Sequence, residues 1–144
     1  MGFIGSLSDK RSVSTNVQTA TAAVNTSVTC TLSAAGANLF HYITKITVDK
    51  LYNVVGVASG AGVIITTTNL VGNPSYTTQQ LASAAGTVVR VVDEDFSGDG
   101  LRSSVANTNT TIVCPAQLQT IWRVNVYFYP LSTYLSSYIA AGPV

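Results

Sequence analysis

Residues 101–129 read LRSSVANTNTTIVCPAQLQTIWRVNVYFY, and their patterning decides the fold class. From Ile121 onward the chain alternates: Trp122, Val124, Val126 and Phe128 fall on one side, and Ile121, Arg123, Asn125, Tyr127 and Tyr129 on the other. A period of two is that of a half-buried strand, so the first set is expected in the core and the second facing outward. Just upstream, Asn107 to Cys114 is dense in β-branched residues and runs into Pro115. Proline lacks the amide hydrogen a ladder needs and should close that strand.

Working outward, the same reading predicts strands over 23–32, 40–52, 62–70, 75–81 and 87–92, in addition to 107–114 and 120–129. In the second of these, Phe40, Tyr42, Ile46 and Val48 are expected on one face. His41, Ile43, Lys45, Thr47 and Asp49 are expected on the other, with His41 facing solvent or an interface. Gly56, Gly60 and Gly62, Gly72-Asn73-Pro74, Gly86 and Ser97-Gly98-Asp99-Gly100 supply chain reversals between the strands. Short strands separated by turns at this rhythm predict a single all-β domain, a jelly-roll-like antiparallel β-sandwich of seven or eight strands spanning 21–131. Residues 1–20 show no period and are expected to form an extended N-terminal arm carrying Phe3, Ile4 and Leu7. Residues 132–144 are expected to form a short C-terminal docking tail, with 77–85 and 134–141 the only candidate helices.

Composition narrows the function. Charged residues make up 9% of the 144, against roughly 25% in typical domains, and the formal net charge is +1. The basic residues are scattered, so neither a nucleic-acid-binding stripe nor a long-range field is expected. No apolar run approaches the ~20 residues of a membrane-spanning helix, and the N-terminus lacks the pattern of a signal peptide. An uncharged surface rich in Ser, Thr and Asn suits a protein covered by other proteins.

Chemistry-bearing constellations are few. Asp93, Glu94, Asp95 and Asp99 cluster in DEDFSGDG, and Asp93, Asp95 and Asp99 are a weak calcium candidate. Counting from Asp93, the twelfth position, which in an EF-hand loop holds a bidentate Glu, is Ser104. No cofactor or metal is therefore expected. His41 has no neighbouring acid or thiol, and no nucleophile turn is present, so an enzyme is not expected. Cys30 and Cys114 are read as two buried thiols in preference to a disulfide.

One resemblance adds to this. RSSVANTNTTIVCPA followed by IWRVNVYFY resembles the C-terminal strand pair of small β-sandwich proteins encoded among the virion genes of tailed bacteriophages, and TCTLSAAGANLFHYITKITV (Thr29 to Val48) is more loosely similar. The resemblance implies a non-enzymatic virion structural protein, foremost a capsid decoration (cement) protein. Such a protein is assembled in the host cytoplasm, sits on the outer capsid surface, forms homotrimers and bridges major capsid protein subunits. Phe3, Ile4, Leu7, Ile121, Arg123, Tyr127 and Tyr129 are the expected partner-binding residues. The alternatives are a carbohydrate-binding or adhesin module, with Tyr52 and Tyr76 near its loops, and a tail or neck component.

Overall fold

The computed structural model describes residues 15–132. Among them the chain is all-β, with nine strands and no helix: β1 Asn16–Thr21, β2 Val28–Leu32, β3 Leu39–Tyr52, β4 Ser59–Thr68, β5 Tyr76–Gln80, β6 Val88–Asp95, β7 Leu101–Arg102, β8 Thr110–Cys114 and β9 Thr120–Ser132. The strand expected at 23–32 begins at Val28. Residues 16–20, assigned to the arm on sequence, form with Thr21 an edge strand on β9. The helix expected at 77–85 is absent: Tyr76–Gln80 is a strand, and Ser83 bridges to Gly56. The tail helix at 134–141 and the arm residues Phe3, Ile4 and Leu7 lie outside the described residues.

The pairings are nested. β1 pairs with β9, β2 with β8, β3 with β6 and β4 with β5, all antiparallel, while the two-residue β7 attaches to β3. Setting β7 aside, this is one long antiparallel ribbon that turns back on itself between β4 and β5. The ribbon then curls so that β9 also pairs with β3 and β8 with β4. Two sheets result, ordered β1-β9-β3-β6 and β2-β8-β4-β5.

The sheets face each other across one core. Ile46, Val48, Val92, Trp122, Val124 and Val126 come from the first, and Val28, Cys30, Leu32, Ile65, Ile112 and Cys114 from the second. Trp122, Val124 and Val126 are fully buried, and the indole Nε1 donates to the Pro115 carbonyl at 2.9 Å, so the proline that ends β8 also satisfies the core tryptophan. Phe128 is half-buried and packs edge-on against His41. Cys30 and Cys114 are buried and unbonded.

The alternation expected of β3 breaks at Thr44. Ile43 pairs with Phe128 and Lys45 with Tyr127, so two β3 steps meet one on β9, and the Thr44 hydroxyl donates to the Tyr127 carbonyl at 3.2 Å. This bulge inverts the parity of the residues before it. His41 and Ile43 therefore point into the core with Ile46 and Val48, whereas Phe40 and Tyr42 lie on the outer face. His41 is 2% exposed, not solvent-facing as expected. Its Nε2 lies 2.9 Å from the Ser33 carbonyl and its Nδ1 2.8 Å from the Thr110 hydroxyl. A carbonyl only accepts, so Nε2 carries the proton and the neutral Nδ1 accepts from Thr110. Outside, Tyr42 stacks on Tyr129 with Phe40 and Leu131 around them, forming a small second core roofed by Arg102.

Candidate functional site

Charge is segregated in this molecule. Every Lys, Arg, Asp and Glu among the described residues belongs to β3, β6, β7, β9 or the 96–100 turn. The sheet β2-β8-β4-β5 carries none, and its outer face is largely hydroxyl-bearing: Thr31, Thr111 and Thr68 lie side by side in register, with the Thr68 and Thr111 hydroxyls 2.7 Å apart.

Nor do the four connections at one end of the sandwich carry charge. Antiparallel pairing brings β1–β2 (22–27), β3–β4 (53–58), β5–β6 (81–87) and β8–β9 (115–119) to the same end. These loops expose Val54, Val55, Val57, Leu81 and Leu118, the last at 72%. Scattered exposed apolar residues are ordinary; here five of the ten large exposed ones among the described residues fall in these uncharged loops.

Gln119 fastens these loops together. Its Oε1 accepts from the Val57 amide at 2.9 Å and from Gln80 Nε2 at 3.1 Å, and its own amide donates to Asn25 Oδ1 at 2.6 Å. The geometry holds Gln119 at φ 60, where a non-glycine residue is uncommon. Gly56, bridged in both directions to Ser83, joins the β3–β4 and β5–β6 connections; a Cβ there would meet the Tyr52 ring at 2.9 Å. Between Val57, Val63, Gln80, Ala116 and Leu118 runs a groove of about 340 Å³. Gln117, 7% exposed, also lines it, and its Oε1 has no hydrogen-bond partner. Loops pinned in this way lose little entropy when a partner covers them.

The residues singled out from sequence fall in three places. Ile121, Arg123 and Tyr127 are on the outer face of β9, Arg123 exposed and the other two half-buried. Ile121 and Arg123 border a pocket of about 140 Å³ with Leu51, Val88 and Asp49. Tyr129, expected on that same partner-facing side, is 6% exposed and covered by its own chain, because the 96–100 turn folds over it and the Asp99 carbonyl accepts its hydroxyl at 2.6 Å. Burial pushes its phenol up to about 12. Of the acidic cluster, Asp93 and Asp95 sit on β6 flanking Lys45, at 3.5 and 3.8 Å, while Asp99 is in the turn beyond. Among the described residues no three His, Cys, Asp or Glu side chains are grouped to hold a metal ion.

Sequence reading missed the uncharged end, because its residues come from four loops far apart in the chain. It also missed Lys50, which stands two positions after Val48 in the inward alternation and is 1% exposed. Burial lowers its pKa to about 8, with the Cys114 sulfur nearby opposing that shift. The signal was present in the period and was obscured by the residue type. Comparison with protein-family models, with curated proteins and with solved structures finds no match in any of the three.

Proposed function

We propose that this protein is a non-enzymatic structural component of a tailed-phage virion, a decoration protein that docks on the outer capsid surface through its uncharged loop end. The observation that carries this reading is the segregation of charge: among the described residues, the sheet β2-β8-β4-β5 and one end of the sandwich lack any charged side chain, and protein interfaces are depleted in charge at their centre. The nested pairing of β1·β9, β2·β8, β3·β6 and β4·β5 supports a jelly-roll reading of the two-sheet fold, an architecture recurrent in viral capsid and lectin domains. It agrees with the resemblance of the 101–129 segment to virion proteins.

In this reading the major capsid protein receives Val54, Val55, Val57, Leu81 and Leu118. The arm with Phe3, Ile4 and Leu7 precedes β1, which starts at the opposite end, where Asn16 pairs with Phe128. In this reading trimers at three-fold positions multiply weak contacts into avidity. A non-enzymatic role draws support from His41, whose two ring nitrogens are both occupied inside the core. The glycan-binding alternative keeps little support: Tyr52 is 2% exposed and Tyr76 is half-buried.

The test is co-sedimentation with capsids assembled from the same genome without this protein. Val55→Asp combined with Leu118→Asp alters exposed side chains, so the melt should stay within about 0.5 kcal/mol of the parent while capsid binding is lost. Binding retained at the parental level would remove the loop end from the mechanism. Loss with Tyr127→Ala alone would move the docking face to the charged sheet.

A further inference from the structure

The groove at the loop end occupies the place of a missing strand. β4 pairs with β5 along one edge from Ser59 to Ile65, but with β8 along the other only at Thr66 to Thr68. β8 stops at Cys114, because Pro115 has no amide hydrogen to continue the ladder. Gly62 to Ile65 therefore have no strand partner on the β8 side, and the groove of about 340 Å³ lies there, between β4 and residues 116–119. An unpaired edge of this kind is a template for an added strand.

Six of the nine residues lining the groove are alanine, valine or leucine and the other three are glutamines, so none is charged. Gln80 and Gln119 bond to each other, whereas the buried Gln117 Oε1 has no partner. An ion placed here would lose its hydration without gaining a counter-charge. An uncharged extended segment loses nothing of the kind, and its amide hydrogens are the donors that Gln117 lacks.

We propose that the groove receives residues 133–144 of a second copy of this chain, added as a strand along Gly62 to Ile65. That segment reads TYLSSYIAAGPV and holds no charged residue, whereas residues 1–14 carry Asp9, Lys10 and Arg11. β9 runs away from the groove, from Thr120 opposite Tyr52 at the loop end to Ser132 opposite Leu39 at the other. Its thirteen residues cover about 40 Å, and the twelve of 133–144 cover about the same when fully extended. Returning along their own molecule would use up that length and leave nothing to fill the groove, so the groove they occupy is a neighbour's.

The contact is heterologous, the tail of one copy in the groove of the next, and such contacts close into rings, trimers among them, when the rotation allows. Self-association of this kind rests on the loop end being the docking surface proposed above. Val54, Val55 and Leu81 lie outside the groove and remain for the capsid.

Sedimentation velocity of the full chain without capsids is the test, and the parent should assemble as its concentration rises. Ile139→Asp, outside the nine strands, and Ala116→Asp, at an exposed groove position, should each weaken assembly about tenfold or more, since either buries an unpaired carboxylate. A mixture of the two variants holds one intact groove and one intact tail, so it should restore pairs and nothing larger. Val55→Asp should assemble like the parent; its effect falls on capsid co-sedimentation, which tests docking separately. A parent that stays monomeric at every concentration, groove and tail variants that assemble as the parent does, or assembly lost in Val55→Asp would overturn the proposal.

Discussion

Lys50 and Trp122 are direct partners in the β3·β9 register, and the ammonium sits 5.1 Å from the centre of the indole inside the core. A desolvated cation–π contact is worth about 2 kcal/mol or more, yet with a single carbonyl acceptor it does not replace the lost hydration shell. The ordinary pKa of 10.5 is accordingly lowered to about 8. Between those values the unfolded chain holds a proton that the folded chain has released, so stability rises with pH. Cys30 and Cys114 act in the opposite sense. Burial raises their pKa values from 9.0 to about 11 and about 12, so above pH 9 the unfolded thiols ionise first and stability falls. Urea midpoints should therefore climb from pH 8 to a maximum at about pH 9 and then decline. Lys50→Met should remove the climb, keep the decline and leave stability at pH 7 unchanged or higher by up to about 2 kcal/mol. A climb that persists in Lys50→Met would assign it to another group.

His41 governs the acid side. Burial lowers its pKa below the ordinary 6.5 and the Ser33 carbonyl opposes that shift only in part. Below pH 6.5 the unfolded chain takes up a proton that the folded chain resists, so stability falls as pH decreases through this window. Protonation would also turn Nδ1 from acceptor to donor opposite Thr110. Histidine NMR should show a ring that stays neutral, with the proton on Nε2, below pH 6.5. An imidazole titrating at or above its ordinary value would contradict the burial.

Two glycines of one turn should respond differently to alanine. Both have positive φ, 68° at Gly98 and 93° at Gly100. A Cβ at Gly98 meets nothing within 4 Å, whereas one at Gly100 would lie 2.5 Å from the Ile43 carbonyl oxygen, in the backbone of the neighbouring strand. Gly98→Ala should cost about 1 kcal/mol from conformational strain alone. Gly100→Ala should cost clearly more, about 3 kcal/mol or above, because β7 must move off β3. Equal melting temperatures for the two variants would contradict the close approach of the turn to β3.

Gln119 should show two separable contributions. Alanine removes the side-chain acceptor of Val57 and Gln80 but keeps the positive φ, for a loss of about 1–2 kcal/mol. Glycine loses the same acceptor and relaxes the backbone, so Gln119→Gly should be more stable than Gln119→Ala and less stable than the parent. Calorimetric melts rank the three directly.

What the sequence reveals follows from what each element buries. The inward row of β9 could be read because Trp122, Val124 and Val126 are fully buried on alternate positions. β1 could not, since five of its six residues are exposed and its order comes from hydrogen bonds to β9, which leave no hydrophobic period. The bulge at Thr44 is equally silent: neither glycine nor proline marks it, and it arises from a register set by Tyr127 and Phe128 on another strand. Turns at Asn25, Asn38, Asn69, Asn73 and Asn107 follow asparagine's tolerance of positive φ, but Gln119 adopts the same conformation against its type because two loops and the end of β5 hold it there. The uncharged end is the sum of four loops and becomes visible only once the ribbon is folded.

The nested pairing also governs the order in which the protein comes into being. Among the described strands β1 is the first synthesised, and its sheet partner, β9, is the last. β9 further sits between β1 and β3, so until it emerges from the ribosome the first sheet has no centre and Trp122 has not entered the core. Contacts of such long sequence separation slow folding and leave β1 and β3 open-edged in the meantime. A chain interrupted just before residue 120 would present a β3 with one edge open and a core without Trp122, Val124 and Val126, a species for proteases and chaperones and not a smaller working protein.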